Sequence, residues 1–214
     1  MKEKKRILIL SLISLFVFIL TFVFAISGKI SVDYSISNSI AKIWSSPTNG
    51  FFIFLGKYSL SIMIGIAIVI SIFLYLQKRK KQSLIFVFTL MTGYILEKSI
   101  KLIVQRDRPL SQLFHETGYS FPSGHTVFSI ILFSMLIYFY KDEIKNKAAK
   151  YFFVAVNVFL ILLVGFSRIY LNVHWFTDVV GGYALGFFLT SLGVLWLKKI
   201  HKRVVSKKIP TKTL

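Results

Sequence analysis

Residues Ser167–Asp178 read SRIYLNVHWFTD and connect one long apolar run to the next. Within them His174 and Asp178 are four positions apart, so on a helix both side chains would share one face, where the carboxylate can orient the imidazole. Arg168 adds a fixed positive charge whose planar fork of donors suits phosphate oxygens. Because a base or nucleophile, an orienting carboxylate and an anion ligand lie in one short segment, we expect the rest of the chain to bring other charged segments to it.

The composition is that of a helical membrane protein. Of the 214 residues, 55% are hydrophobic and only 16% are charged, and the mean hydropathy of +0.70 is far too high for an ordinary soluble domain. Several uninterrupted apolar runs approach about 20 residues, the length that a helix needs to cross a bilayer. We therefore predict an all-α fold, with residues 1–214 forming a single domain embedded in the lipid bilayer.

Six apolar runs predict a bundle of six transmembrane helices. The first follows a basic amino terminus, and its apolar core exceeds the roughly 7–15 residues of a signal peptide, so we interpret it as a retained span. The predicted spans cover approximately Ile7–Ser27, Ser59–Leu76, Leu84–Ile103, Thr126–Tyr140, Tyr151–Ile169 and Phe176–Leu197.

The segment between the first two runs is polar, and Pro47 and Gly50 are interpreted as helix breakers within it. Four apolar residues of this segment fall on one helical face, namely Ile36, Ile40, Ile43 and Trp44. This pattern suits a short helix lying at the membrane surface with its tryptophan at headgroup level. An ordinary loop is the alternative, and the sequence does not decide between them.

The positive charge indicates how the chain is oriented in the membrane. The formal net charge is +19, and with six spans the basic amino terminus, the Lys78–Lys81 cluster, the 141–150 loop and the carboxyl-terminal tail all lie on one side. The positive-inside rule makes that side cytoplasmic. We therefore expect a multi-pass protein of the cell membrane with both termini inside. No nucleic-acid partner is expected, because no RNA- or DNA-binding pattern accompanies the charge, and the sequence does not indicate an oligomeric state.

Cations also lie where this topology does not require them, near the second predicted outer loop. Lys101, Arg106 and Arg108 lie at its start, and ionisable residues at such positions are costly and are functional candidates. The alternative for Lys101 is a side chain that snorkels to the membrane surface, balanced by Glu97 one helical turn away. Arg106 and Asp107 either assist a site from behind or are simply solvated.

The same loop ends in the motif Pro122–His125, which reads PSGH. Ser123 can cap the following helix, and Gly124 lets a ligand approach the backbone closely. A helix start of this kind offers free N–H groups and a positive dipole end, which together make a natural phosphate site. His125 would lie beside it, able to give or take a proton. For this motif alone, a plain turn followed by an interfacial histidine is the alternative.

The predicted topology brings these three segments to one membrane face, and together they resemble the type 2 phosphatidic acid phosphatase family of integral membrane lipid phosphatases. The signature of that family is K-x6-R-P, then P-S-G-H, then S-R-x5-H. Asp178 lies where the family has the carboxylate that orients its histidine. The three parts read here as Lys101…Arg108-Pro109, Pro122-Ser123-Gly124-His125 and Ser167-Arg168…His174.

The resemblance implies a role for each motif residue. His174 would attack phosphorus to form a phosphohistidine, and Asp178 would hold its tautomer. His125 would protonate the departing lipid oxygen and then activate water. The substrate would be a membrane lipid phosphate at the extracytoplasmic face: phosphatidylglycerol phosphate or undecaprenyl pyrophosphate, with phosphatidic acid as a further candidate. The phosphate oxygens would be held by Lys101, Arg108, Ser123, Gly124 and Arg168.

No cofactor is expected. The pair His174 and Asp178 could ligate a divalent ion, but the surrounding lysine and arginine side chains would repel it. The chain has no cysteine, which excludes thiolate sites, and His115 and His201 are interpreted as bystanders. Two other classes of function compete with hydrolysis. A non-catalytic lipid-phosphate binder would need only the cations, and a transporter would be indicated by an inverted repeat, which the sequence does not show.

Overall fold

The computed structural model describes the backbone of residues 2–28 and 31–208 and the side chains of residues 2–28 and 31–200. Over this part of the chain the fold consists of helices alone, so the all-α prediction is confirmed. In chain order the helices are α1 (Lys2–Ser27), α2 (Ser31–Ala41), α3 (Ser46–Leu76), α4 (Lys80–Val104), α5 (Gly124–Tyr140), α6 (Lys147–Tyr170) and α7 (Phe176–Lys208).

The chain is a multi-pass membrane protein. Five of the described helices are long and apolar enough to cross a membrane, namely α1, α3, α4, α6 and α7. The sixth apolar run forms α5, which has 17 residues and is shorter than the others. Each of the six predicted runs lies inside one helix, and most of the helices extend beyond the run, because hydropathy marks the apolar part of a helix and not its polar ends.

The largest error in the predicted helix bounds is the start of α3, which begins at Ser46 and not near Ser59. Pro47, interpreted above as a breaker, lies in the first turn of this helix. A proline is tolerated there because the first N–H groups of a helix have no partner inside it. The polar segment before it contains a helix, α2, as the first interpretation predicted, but α2 ends at Ala41, before Ile43 and Trp44. The buried residues of α2 are nevertheless polar, Asp33 and Ser37, and not the apolar ones that suggested the helix.

Helix α7 packs against α1, α4 and α5. The small-residue pair Gly182 and Gly186 lies at the contact with α5. A Cβ on Gly182 would be 2.7 Å from the Ser123 carbonyl oxygen, and one on Gly186 would be 2.8 Å from that of Val127. Close approach of the two helices therefore requires glycine at both positions. It brings the PSGH motif beside the first turn of α7, where the Ser123 N–H donates to the Asp178 carbonyl, 3.1 Å away.

Residues 105–123, residues 171–175 and α2 meet at one end of the bundle, which we call the rim. Asn172 joins all three. Its backbone is left-handed (φ 53°), a conformation that asparagine tolerates better than most residues. Its amide nitrogen donates to the Ser111 carbonyl at 2.8 Å, and its amide oxygen accepts from the Ser37 hydroxyl at 2.8 Å. The loops that carry the predicted site residues are thus tied together before any ligand is present.

Candidate active site

A cavity of about 430 Å³ opens between α3, α4, α5 and the rim. Residues from all three predicted motifs line it: Lys101, Arg108, Gly124, His125 and His174. The remaining predicted site residues, Ser123, Arg168 and Asp178, are fully buried. The contacts described below connect them to the lining residues. Segments that are distant in the sequence therefore meet at one place, as predicted.

His174 lies in the short connection between α6 and α7 and is buried. Its Nε2 is 3.3 Å from Arg108 Nη1, and its Nδ1 is 3.5 Å from Asp178 Oδ2, which is longer than a hydrogen bond. Burial, followed by the positive charge of Arg108, lowers the pKa of His174 well below its ordinary value of 6.5. The imidazole is therefore neutral near pH 7 and has a lone pair to offer.

Asp178 stands behind His174 in the first turn of α7. Its Oδ2 accepts from the Trp175 backbone N–H at 2.9 Å, and its Oδ1 accepts from Arg106 Nη1 at 2.6 Å. Both contacts, together with the positive end of the helix dipole, favour the ionised carboxylate. A charge that is fixed in this way lies next to the Nδ1 side of His174.

Two arginines approach the cavity from different segments. Arg108 is bonded to the backbone of both loops of the rim, because its Nη1 donates to the Val173 carbonyl at 2.6 Å and its Nε to the Gly118 carbonyl at 2.9 Å. Arg168 is fully buried in the last turn of α6, with Nη1 3.3 Å from His125 Nε2. Each guanidinium is therefore held rigidly beside one of the two histidines.

A residue that the sequence analysis missed, Glu116, lies between these arginines. Its Oε2 is 3.0 Å from Arg108 Nη1, and its Oε1 is 3.1 Å from Arg168 Nη1. The same carboxylate is 3.9 Å from His174 Nε2. Its two oxygens are placed as two oxygens of a phosphate group would be. Nothing in the sequence singles out this loop glutamate, since it has no fixed spacing to any motif.

Lys101 faces the cavity and does not snorkel away from it. Its Nζ is 2.9 Å from Oε1 of Glu97, which is buried. Glu97 also packs against Gly124, where a Cβ would be 2.8 Å from Oε1. The glycine thus makes room for Glu97 as well as lining the cavity. Ser123 precedes α5 as expected, but its hydroxyl makes no capping bond, so that part of the prediction is wrong.

For Arg106 the sequence allowed either a role in assisting the site or simple exposure to solvent. The structure shows that Arg106 is buried next to Asp178. Its Nη1 donates to Asp178 Oδ1 at 2.6 Å and to Thr177 Oγ1 at 2.7 Å. Its Nη2 donates to Asp33 Oδ2 at 2.7 Å. Asp33, on α2, was not predicted either, because only the folded chain shows that this polar segment reaches α7.

Unpaired polar atoms are concentrated at the site. Among the described side chains, three of the buried polar atoms that lack a hydrogen-bond partner belong to predicted site residues: Ser123 Oγ, Arg168 Nη2 and His174 Nδ1. Buried polar groups are nearly always paired in native proteins. His174 also lines the cavity, and Arg168 contacts the lining residue His125, so the arrangement suits a ligand with several acceptor oxygens.

A metal site and two further histidines, His115 and His201, were also considered in the sequence analysis. Among the described residues, no three His, Cys, Asp or Glu side chains are grouped so that they could hold a metal ion. His115 is exposed at the cavity mouth, and the side chain of His201 lies outside the described residues.

Residues 82–202 match the PAP2 superfamily. The chain belongs to that superfamily. The match includes all three motifs, and it confirms the resemblance to type 2 phosphatidic acid phosphatases that those motifs suggested.

Similar proteins include both bacterial and archaeal members. Phosphatidylglycerophosphatase B of Bacillus subtilis is 36% identical over 110 residues, which are 50% of this chain and 54% of that relative. The alignment therefore spans about half the length of this relative. Undecaprenyl-diphosphatase of Sulfolobus acidocaldarius is 24% identical over 198 residues, covering 86% of this chain and 88% of its own.

A solved structure shows the same fold. It is the crystal structure described as the first transmembrane PAP2 type phosphatidylglycerolphosphate phosphatase from Bacillus subtilis. It superimposes with a TM-score of 0.76 at 26% identity and covers 87% of this chain and 96% of that chain.

Proposed function

We propose that this PAP2 protein is an integral membrane lipid phosphatase. One observation carries the proposal: Arg108 and Arg168 already hold an oxyanion, the Glu116 carboxylate, 3.9 Å from His174 Nε2. A lipid phosphate bound in place of that carboxylate would have its phosphorus within reach of an imidazole nitrogen. The whole chain, residues 1–214, is proposed to act as one domain.

In the first step, His174 Nε2 attacks phosphorus and the bond from phosphorus to the lipid oxygen breaks. This nitrogen is the reacting one because Arg108 Nη1 faces it as a donor, while Nδ1 points to Asp178. The ring becomes positively charged as the N–P bond forms, and the Asp178 carboxylate stabilises that charge. His125, whose protonated form is stabilised by the negative charge of the bound phosphate, gives its proton to the departing oxygen.

In the second step, His125 takes a proton from a water molecule that attacks the phosphohistidine. The N–P bond breaks, His174 becomes neutral again, and inorganic phosphate is released. Arg108, Arg168 and Lys101 hold the phosphate oxygens through both steps, together with the Ser123 hydroxyl and the Gly124 backbone N–H. Residues of this chain supply every role, and metal independence is part of the proposal.

The shape of the cavity supports a lipid substrate. Along one face of α4 the lining changes from Leu90 and Gly93 to Glu97 and Lys101, so one end of the cavity is apolar and the other is charged. A molecule with a phosphate at the end of a hydrocarbon chain matches this gradient. A soluble phosphate ester would leave the apolar end unfilled.

The names of the similar proteins narrow the substrate. Phosphatidylglycerol phosphate and undecaprenyl pyrophosphate are the substrates that we propose first. Phosphatidic acid is a further candidate. All three present a terminal phosphate at headgroup depth.

The proposed arrangement in the membrane has six spans, with α5 as the short one. The rim would face the extracytoplasmic side, because the basic amino terminus, the Lys78–Lys81 cluster and the 141–150 loop lie at the opposite ends of the helices. Both termini are then cytoplasmic, and the protein belongs to the cell membrane.

The decisive experiment measures phosphate release from the three lipids by the purified full-length protein, with and without a chelator. We expect release that EDTA leaves unchanged and that falls by at least about 10³-fold in His174→Ala, as is typical when a nucleophile is removed. His115→Ala, which removes an exposed imidazole at the same cavity, is the matched control and should keep its activity. Absence of release from every lipid would contradict the proposal and favour a binder or transporter.

A further inference from the structure

The carboxylate of Asp33 is the most distant member of a chain of contacts that ends at His174. It is buried, although it belongs to the short helix α2. Its Oδ1 accepts from the Thr177 backbone N–H at 3.0 Å, and its Oδ2 accepts from the Thr177 hydroxyl at 2.6 Å and from Arg106 Nη2 at 2.7 Å. A carboxylate with three short donors is held in one orientation.

Arg106 is shared between two carboxylates. One arm of its guanidinium, Nη2, contacts Asp33, and the other, Nη1, contacts Asp178 Oδ1 at 2.6 Å. Because a guanidinium is planar and rigid, the position of one arm determines the position of the other. The orientation of Asp178 therefore depends on Asp33, although the two carboxylates come from helices far apart in the sequence.

Asp178 in turn faces the imidazole with its second oxygen, Oδ2, which is 3.5 Å from His174 Nδ1. If Asp33 lost its charge, the Arg106 fork would be free to move onto Asp178 and bind both of its oxygens, as arginine does with a single carboxylate. Oδ2 would then be drawn away from His174, and its negative charge would be neutralised by the arginine. The charge that stabilises a positive imidazole would be weakened.

We propose that Asp33 is a positioning residue of the reaction, acting on His174 through Arg106 and Asp178. This inference rests on the proposed function, because it concerns the step in which His174 becomes positively charged. It also gives α2 a role in the reaction: the helix carries the carboxylate that keeps Arg106 from binding both oxygens of Asp178.

The proposal distinguishes catalysis from binding, because Asp33 does not touch the cavity. The phosphate ligands Lys101, Arg108 and Arg168 are not bonded to it. Asp33→Asn should therefore lower kcat while KM and inhibition by inorganic phosphate stay within about twofold. We expect kcat to fall by about ten- to a hundredfold, the loss typical of one weakened charge-assisted contact. Asparagine retains an oxygen that can accept from the Thr177 N–H, so the start of α7 stays capped.

Ser37→Ala is the matched control. Ser37 lies one helical turn after Asp33, is also buried, and docks α2 through a bond of 2.8 Å to the Asn172 amide oxygen, but it contacts none of the charged groups. If Asp33 only fastened α2 to the bundle, both variants would change the melting temperature and leave kcat per folded protein unaltered. We expect Ser37→Ala to lower the melting temperature alone.

Arg106→Lys provides a second variant if Asp33→Asn does not fold. It keeps the positive charge but lacks the rigid planar fork that fixes two carboxylates relative to each other, so it should show the same loss of kcat with unchanged phosphate inhibition. All variants are assayed as full-length protein in detergent micelles with a lipid phosphate that the wild type hydrolyses. An unchanged kcat in either variant, or equal losses in kcat and phosphate affinity, would overturn this inference alone. A wild type without any turnover would instead overturn the proposed function, and this inference with it.

Discussion

Two buried arginines of the site, Arg106 and Arg168, have opposite surroundings. Arg106 donates to two carboxylates and a hydroxyl at 2.6–2.7 Å. Arg168 is as deeply buried, yet within the described part of the chain it has one ion pair, with Glu116, and its Nη2 has no partner. The first arginine is neutralised within the protein, and the second retains a donor for something else.

This difference separates the framework of the site from the part that binds. Leaving a buried donor unpaired costs free energy, so a fold selected for stability alone would surround Arg168 as it surrounds Arg106. A ligand with oxygen acceptors removes that cost when it binds. The comparison predicts that removing the charge of Arg106 mainly lowers stability, whereas changes at Arg168 mainly lower activity.

The largest expected effect is on stability. Arg106→Ala would leave Asp33 and Asp178 as buried negative charges without their shared partner, and breaking a buried pair in this way typically costs about 3–5 kcal/mol. Denaturant unfolding in detergent would measure the loss. Lys150→Ala breaks an exposed pair with Asp142 and is the control, with no resolvable change expected. A loss in Arg106→Ala no larger than in this control would refute the view of Arg106 as framework.

The next effect is on activity. Arg168→Lys keeps the positive charge but removes the planar fork, so one phosphate oxygen loses a fixed donor. We expect kcat/KM to fall by about 10²–10³-fold, as when one oxyanion donor is removed, while the melting temperature changes little. Steady-state kinetics and a thermal melt of the same preparation check both halves. Full activity with a lower melting temperature would mean that Arg168, like Arg106, contributes to stability and not to phosphate binding.

The residues that sequence analysis found are those with fixed spacing to one another. His174 and Asp178 are four positions apart, although His174 precedes the helix that carries Asp178. Arg168 belongs to the same segment, so their proximity follows from the local sequence. The convergence of the three motifs was predicted by counting the spans and placing successive loops on alternating sides of the membrane. This count also requires only the local sequence. The fold was accessible for the same reason, since apolar runs specify membrane helices almost independently of each other.

The residues that were missed are those whose role arises only from packing. Asp33 and Glu116 are single acidic residues in polar segments, and a polar segment permits many placements. Their contacts depend on where α2 and the 105–123 loop fold back. The start of α3 was missed for another reason: a proline signals either a break or a first turn, and Pro47 is in a first turn. Ser123 is a residue type that often caps helices and it precedes α5, but its side chain does not make the capping hydrogen bond.

A smaller effect is expected on the binding of inorganic phosphate beside Arg168. Glu116 occupies the place proposed for phosphate, so it competes with every anion that binds there. Glu116→Gln removes the competing charge, and we expect inorganic phosphate to inhibit turnover at a concentration about tenfold lower, the change expected for one charge-assisted contact. The inhibition constants of wild type and variant give the comparison. Glu143→Gln, which neutralises a glutamate paired with Arg79 elsewhere, should leave phosphate inhibition unchanged. Weaker inhibition in Glu116→Gln would mean that Glu116 supports binding.

The smallest effect is a pH dependence of stability that His174 contributes. Its pKa in the folded protein is lowered by burial and by Arg108, whereas an unfolded histidine titrates near pH 6.5. Below that pH the unfolded chain takes up a proton that the folded chain does not, so the contribution present above pH 6.5 is lost as the pH falls. Wild type should therefore lose stability relative to His174→Gln between pH 7.5 and 5.5, by up to about 1.4 kcal/mol per pH unit below 6.5.

Unfolding of the two proteins at both pH values measures this difference, and it tests whether His174 belongs with the unpaired part of the site. His115→Gln, which replaces an exposed imidazole of the same cavity and leaves His174 in place, serves as the control variant. No change would mean that burial does not lower the pKa of His174, and a rise on acidification would mean that His174 is paired and charged in the folded protein, as Arg106 is. It could not then offer the neutral nitrogen that attack on phosphorus requires.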